Sequence, residues 1–416
     1  MTRRVLPLVL VLGLITAVGP FAIDVYLPAL PSMGKSLDAS PPAVQMSLMA
    51  FFITIGVCQL FYGPLSDIVG RKTPIYAGLV IFALGSIGCA LAPNIDVLIG
   101  FRALQGFGAC AGMVIPRAIV RDLHTGHEAA RLMSLLMLVV SISPILAPLT
   151  GSFIIEAFGW RAVFWVLTAA ALTGLLLAAT QLIETRPAEH RSESTWRSAF
   201  SAYRLLLVDP MFTGLSFVGA FGVAAFFIYI GSASFVLINH YGLSPTLFSL
   251  CFALNAASFF AFSQATAKLT ARFGLAPVIR VAVSGFAVVM VILAVLMTLG
   301  TDSLALMMAL LFVGYGFLGV VIPAAAVLSL EHHGEIAGTA SALMGSIQMV
   351  TGAAVMAVAG LFADGTPQPM VIGIAACAVA AFLVTQMALR PARDRLVKSQ
   401  PSDDLLEKNR RPVSDM

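Results

Sequence analysis

Apolar residues in this chain come in long unbroken runs, not in the alternation of a half-buried strand or the one-sided stripe of a soluble helix. The runs lie near 5–30, 43–65, 74–92, 97–120, 131–155 and 160–183, and again near 210–238, 246–268, 277–299, 303–329, 336–362 and 368–389. A helix needs about 20 predominantly apolar residues to cross a bilayer. The pattern therefore predicts an all-α membrane protein of twelve transmembrane helices. One long polar interruption, 184–209, falls between the sixth and seventh runs. It divides the chain into a six-helix half over 1–183, a linker over 184–209, a second six-helix half over 210–390 and a polar tail over 391–416. The tail has too few apolar residues to build a packed element.

Composition narrows the class further. Of the 416 residues 59% are hydrophobic and 11% charged, against roughly 25% charged in a soluble domain. The opening Met1 to Arg4 and the apolar run behind it mimic a secretory signal, but the run continues to about Ile23 with no prompt small-residue cleavage site, so it reads as a retained first helix. All five cysteines fall inside apolar runs and read as packing residues. The partners expected are the lipid bilayer and a small molecule, with no nucleic acid, for a chain acting as a monomer.

Lys and Arg set the expected orientation. With the N-terminus inside, Lys35 and Arg161 fall outside and Arg102 and Arg117 within the membrane, while the other 20 of 24 bases lie on the cytoplasmic side. Both termini are then cytoplasmic.

The halves repeat. Gly112-Met-Val-Ile-Pro116 recurs as Gly319-Val-Val-Ile-Pro323, 207 residues on. Ser40-Pro41 recurs as Ser244-Pro245, and Leu65 with Gly70 as Leu269 with Gly274, at 204. Matches within three residues of one offset point to a duplicated six-helix unit.

Between the second and third runs the chain reads Gly63-Pro-Leu-Ser-Asp67-Ile-Val-Gly70-Arg71-Lys72. Gly63 would let a helix end approach a neighbour, and Gly70 would supply a turn conformation that residues with a Cβ resist. Asp67 can accept from a helix N-terminus, and Arg71 and Lys72 would sit at the headgroup interface. The repeat has lost these charges: Asp67, Arg71 and Lys72 correspond to Ala271, Leu275 and Ala276.

Charges inside a membrane are expensive and mark function. Asp24 is the one acid deep in a span, and Arg102 lies at like depth, each roughly 9 Å from the outer end of its helix. They form a candidate pair. Burial disfavours the carboxylate's charge and a nearby Arg favours it, so changes in distance or wetting would let Asp24 take up or release a proton. A purely structural ion pair joining helices 1 and 4 is the other reading. Arg117, 15 residues after Arg102, either snorkels to the interface or faces a cavity as an anion attractor. Tyr26, Gln59, Tyr229 and Asn255 are candidate substrate contacts, although polar side chains in spans often only join helices. Gly314-x-Gly316-x-x-Gly319 follows no strand and reads as close helix packing. Neither a metal site nor an ATP-binding loop is expected.

These residues carry a resemblance. The 63–72 string resembles the G-x-L-[SA]-D-x-x-G-R-[KR] loop between helices 2 and 3 of the major facilitator superfamily, where it latches the two halves in the outward-facing state. Asp24-Val-Tyr26-Leu-Pro28-Ala-Leu-Pro31 is similar to the helix 1 end of the twelve-helix drug:proton antiporters, in particular the bicyclomycin- and chloramphenicol-resistance (Bcr/CflA-type) branch. Arg102-Ala-Leu-Gln105-Gly106 resembles the helix 4 motif of that family, and Arg121-Asp122 also fits the branch. Ala147-Pro148-Leu-Thr-Gly151-Ser152 is similar to the antiporter motif G-P-x-x-G-G, with Ala147 and Ser152 in place of two glycines and Pro144 as a second kink site. The resemblance implies the major facilitator fold and drug/H+ antiport in a bacterial inner membrane by alternating access. It implies no cofactor, the proton being the coupling ion. The alternative is a proton-coupled exporter of a metabolite such as a nucleobase or an amino acid. An intramembrane enzyme would need a nucleophile with its base, or a metal cluster, at membrane depth, and the spans supply neither.

Overall fold

A computed structural model describes residues 5–124, 126–186, 189, 196–331 and 333–389. The tail expected over 391–416 lies outside the described residues.

In hydrocarbon every backbone polar group must be satisfied within the protein, and an unbroken apolar run of about 20 residues does so as a helix. Twelve helices are long and apolar enough to cross a membrane, and there is no strand among the described residues. The first span begins as α1 (Val5–Asp24), unwinds through a 3-10 turn (Leu27–Ala29) and resumes as α2 (Leu30–Ser36). α3 (Pro41–Val69), α4 (Lys72–Leu91), α5 (Ile95–Leu123), α6 (Gly126–Phe158) and α7 (Trp160–Gln181) complete the first six. A shorter helix, α8 (Trp196–Val208), precedes α9 (Pro210–Ser234), which ends in a π-helical turn (Phe235–His240). α10 (Pro245–Phe273), α11 (Leu275–Thr298), α12 (Leu304–Leu330), α13 (Ala337–Gly360) and α14 (Pro367–Ala388) follow. The 29 residues of α3 rise about 43 Å, more than the roughly 30 Å hydrocarbon core. Hence the helix runs through Asp67 to Val69, past the first charges that mark its end in the sequence.

The duplication is visible in backbone geometry. Ser40 and Ser244 are extended residues (φ −67°, ψ 154° and φ −67°, ψ 158°) whose hydroxyls accept the Ala43 and Leu247 N–H groups at the starts of α3 and α10. Gly70 (φ 96°) and Gly274 (φ 81°) end the same two helices in a region side chains avoid. Gly112 and Gly319 are contact points: a Cβ at Gly112 would lie 2.6 Å from the Ile15 carbonyl oxygen, and one at Gly319 would overlap that of Phe259. The glycine string at 314–319 is thus helix packing.

We call the side carrying residues 63–72 the loop face. The first six and last six spans meet where α3 packs on α13 and α6 on α10. Away from the loop face polar contacts seal this seam: Gln45 Nε2 donates to the Gly231 carbonyl (3.0 Å), Thr246 to Glu156 (2.9 Å) and Ser249 to the Pro148 carbonyl (2.9 Å). Midway, the rings of Phe52 and Phe227 stack across it at 3.8 Å. At the loop face the ends part around a cavity of about 380 Å³, lined from one side by Gly63, Asp67 and Arg121 and from the other by Gly338 and Thr339.

Asp209 joins α8 to α9. Its carboxylate accepts the N–H groups of Met211 (2.8 Å) and Phe212 (3.4 Å) and pairs with His333 (2.9 Å). Burial pushes its protonation upward, but the Met211 N–H, His333 and the Phe212 N–H outweigh it and hold the carboxyl below its usual range. Its stabilisation is fully present above the ordinary carboxylate value near 4 and is lost as the pH falls below that through the depressed native value. Asp209→Ala is expected to lower stability by about 1 kcal/mol at neutral pH, by loss of the cap. Thermal unfolding in detergent at pH 7 measures it.

Candidate functional site

The site is built on the break in α1. Residues 25 and 26 leave the helix, Tyr26 with φ −103° and ψ 0°; the side chains on either side of Val25 face different neighbours. Tyr26 turns to α5 and α3: its hydroxyl accepts from Arg102 Nη2 (3.2 Å) and lies 3.5 Å from Ser47 Oγ. Asp24 turns to α6, where Ser143 Oγ donates to its Oδ2 (3.2 Å). Asp24 is 3% exposed and Arg102 fully buried.

The pairing of Asp24 with Arg102 expected from their depth is not formed in this conformation. No carboxylate lies within ion-pair distance of Arg102 among the described residues. Depth placed the two together but leaves the direction around the axis open: Asp24, the last residue of α1, faces α6, while Arg102 of α5 meets Ala22 and Tyr26. Arg102 is caged instead by π faces and neutral acceptors. Its guanidinium carbon lies 4.5 Å from the Tyr26 ring centroid and 4.2 Å from that of Phe51. Nη1 donates to the Ala22 carbonyl (3.1 Å) and Gln105 Oε1 (2.5 Å), and Gln105 in turn donates to Ser86 Oγ (2.7 Å). Nε has no partner. Each desolvated cation–π contact contributes about 2 kcal/mol, while a buried ion's desolvation costs several. The cage holds the charge without neutralising it.

The α6 motif residues link Asp24 to the other six spans. Pro144 follows Ser143, and the Pro148 carbonyl accepts from both Ser152 (3.0 Å) and Ser249 of α10 (2.9 Å). Gly151 lets α6 touch the α1 break, since a Cβ there would overlap the Val25 carbonyl oxygen. Gly151→Ala is therefore expected to destabilise the fold by about 1–3 kcal/mol and to depress transport with it. Unfolding and uptake measured on one preparation test this.

The 63–72 loop differs in part from expectation. Gly70 makes the turn, but Gly63 lines the loop-face cavity with open space around the position of its Cβ, so the close approach expected there is not made in this conformation. Arg71 is buried instead of lying at the headgroups: it pairs with Asp67 (2.6 Å) and Asp122 (2.8 Å) and donates to Ser66 (2.7 Å). The Arg71 and Lys72 N–H groups donate to Glu184 at 2.8 and 3.2 Å, and the Lys72 ammonium lies 5.6 Å from the Tyr76 ring. These bonds stay within the first six spans and the segment after α7. The approach to the second half is spatial: Asp67 shares the loop-face cavity with the start of α13, and Arg121 abuts Gly338 there.

Arg117 is exposed although it lies inside a span. Val114, Ala118 and Arg121 of the same helix line the loop-face cavity, and spacings of three and four residues put Arg117 on that face. Gln59 faces Gly345 across the seam and has a buried Nε2 without a partner among the described residues. Tyr229 and Asn255 bond to each other (2.8 Å) among Phe252 and Tyr315, with Asn255 Oδ1 unpartnered. Phe51, Gln45 and Ser249 do not stand out in the sequence, and Ser143 does so only as the neighbour of the Pro144 kink site. Of the first three, only Gln45 and Ser249 carry a signal there: each lies five residues after its repeat's serine cap.

Twelve spans in two repeated sets, the Gly70 turn with its Arg71 network, and a buried acid and cation on α1 and α5 define a secondary-transporter architecture. The model of the Major Facilitator Superfamily matches residues 12–356, and the chain belongs to that family. It is a transporter and not an enzyme. Among curated relatives it is similar to "Uncharacterized MFS-type transporter YdgK" of Bacillus subtilis, 36% identical over 86% of this chain and 89% of the relative. It is 29% identical to "Bicyclomycin resistance protein homolog" of Haemophilus influenzae, over 90% of this chain and 94% of that one. To "Multidrug resistance protein D" of Escherichia coli it is 32% identical, over 84% and 87%. These likenesses agree with the Bcr/CflA-type branch that the helix 1 motif indicates.

Proposed function

We propose that this protein is a proton-coupled multidrug exporter of the bacterial inner membrane, working by drug/H+ antiport with alternating access. The loop face is cytoplasmic in this reading, as the distribution of Lys and Arg requires. The observation that carries it is Asp24: an acid inside a span, buried on the break in α1, held by one serine hydroxyl and close in sequence to a ring that stacks on an uncompensated cation. The names of two relatives support drugs as cargo. A drug enters from the loop-face cavity, past Arg117 and Arg121, and competes with the proton of Asp24 for one site. Rocking of the halves then breaks the Gln45 and Ser249 contacts, and Asp24 exchanges its proton as its surroundings are rewetted. Arg102 biases that exchange electrostatically, since Arg itself stays charged. The Arg71 network keeps the loop rigid so that the ends of α3 and α13 close against each other.

A metabolite exporter is the second reading, favoured by the buried Tyr229–Asn255 pair with its free acceptor. Inside-out vesicles holding the protein decide between them. Chloramphenicol-like or cationic drugs are expected to accumulate when the interior is acidic, and an uncoupler is expected to abolish it. Accumulation indifferent to the gradient contradicts proton coupling, and nucleobase or amino-acid accumulation alone contradicts the drug assignment.

A further inference from the structure

The segment read as a polar linker contains α8, a helix with three distinct sides. Its buried side anchors it to both sets of spans: the Tyr203 hydroxyl donates to the Leu60 carbonyl of α3 (2.9 Å), and Leu206 packs with Ala340 and Leu343 of α13. A second side borders the loop-face cavity through Ala199 and Ala202. The third meets only Phe61 of α3 along one edge and is otherwise open among the described residues. Trp196 and Phe200 stand against Phe61 of α3 at 6.2 and 6.4 Å, and all three are exposed, as is Leu207.

Beside this aromatic edge lie Arg197 and Arg204, seven residues apart and so on one face. Both are exposed, and among the described residues neither has an ion pair or hydrogen bond. The helix contains no acid. It ends one residue before Asp209, which caps the span α9, so it lies at the depth where the chain enters the membrane. Aromatic rings with a tryptophan beside unpaired arginines are the arrangement of a helix lying in the bilayer interface, its rings among the upper acyl chains and its cations at the headgroups.

We propose that α8 is a docking surface for the anionic phospholipid headgroups of the cytoplasmic leaflet, bound through Arg197 and Arg204 and keyed by Trp196 and Phe200. The assignment of the leaflet rests on the orientation proposed above; the lipid contact does not. Charge and continuity select lipid as occupant, because the aromatic edge runs into Phe61 on the outward surface of α3. An anionic surface attracts each juxtamembrane base, so two arginines give a preference on the order of tenfold.

The test uses the full chain with Trp160 and Trp165 replaced by Phe, which leaves Trp196 as its single tryptophan. It is reconstituted in phosphatidylcholine vesicles with or without roughly 30% phosphatidylglycerol, carrying bromine on the acyl chains of either lipid. Trp196 is expected to be quenched more by bromine near the headgroup than by bromine deep in the chain. Brominated phosphatidylglycerol is expected to quench it several-fold more than brominated phosphatidylcholine at equal amounts. In R197Q/R204Q that preference is expected to fall to unity while shallow quenching persists. Trp196 unquenched by any brominated lipid, the outcome if a second copy or a soluble protein covers this face, overturns the proposal; so does an undiminished preference in the double variant. Neither drug nor proton gradient enters the readout, so failure of the export reading leaves this result intact, and the reverse holds.

Discussion

Asp24→Asn is expected to abolish uphill export while leaving the fold intact. The substitution keeps the size of the side chain, and the amide oxygen can still accept from Ser143, which contacts Asp24 at 3.2 Å. Stability is therefore expected to change by no more than about 1 kcal/mol. What is lost is the exchangeable proton. A coupling free energy of about 1–3 kcal/mol corresponds to roughly 5- to 150-fold, so accumulation against a gradient is expected to fall by at least about fivefold. Downhill exchange of drug across proteoliposomes needs no proton and is expected to stay within about twofold of the native rate. Equal loss of both modes would assign Asp24 to structure, as the residue that pins the α1 break to α6.

Arg102→Ala is expected to harm both stability and transport, and a second substitution separates them. The guanidinium fills the space between the Tyr26 and Phe51 rings and serves Ala22, Gln105 and Tyr26 as donor. Removing it opens a cavity and orphans buried acceptors, each orphan costing about 1–3 kcal/mol. Relief of an uncompensated buried cation offsets several kcal/mol of that. The net expectation is a loss of about 3 kcal/mol, read as a lower unfolding temperature. Arg102→Met restores most of the volume without the charge and is expected to regain most of the stability. Transport is expected to stay lost in both variants. Recovery of transport with Met would show that packing, and not charge, is what Arg102 supplies.

The spans are readable from the sequence because lipid leaves an apolar run of twenty residues one way to satisfy its backbone. The repeat is readable because a cap and a turn demand particular residues: Ser40 and Ser244, Gly70 and Gly274 keep the same backbone geometry 204 residues apart. The site is only half legible. Residue type and depth single out Asp24 and Arg102, but depth leaves the direction around each helix axis open, and Asp24 faces Ser143 while Arg102 faces Tyr26 and Phe51. The close approach expected at Gly63 is absent in this conformation because Gly63 lines the cavity where the halves stand apart. α8 is hidden by its own amphipathicity, since its thirteen residues are too few and too mixed to register beside spans twice as long. Contacts such as Phe52 with Phe227 need the pairing of distant helices, which a single chain's pattern does not encode.

The most direct test of the central claim, that drug and proton compete through Asp24, is drug-induced proton release from the detergent-purified protein, wild type beside Asp24→Asn. A weakly buffered solution with a pH dye is titrated with chloramphenicol-like and cationic compounds while binding is followed separately. The expected result is release on drug addition by the wild type and none by the variant, with drug binding retained in both. Drug binding without release in the wild type, or the same release from the variant, contradicts the account.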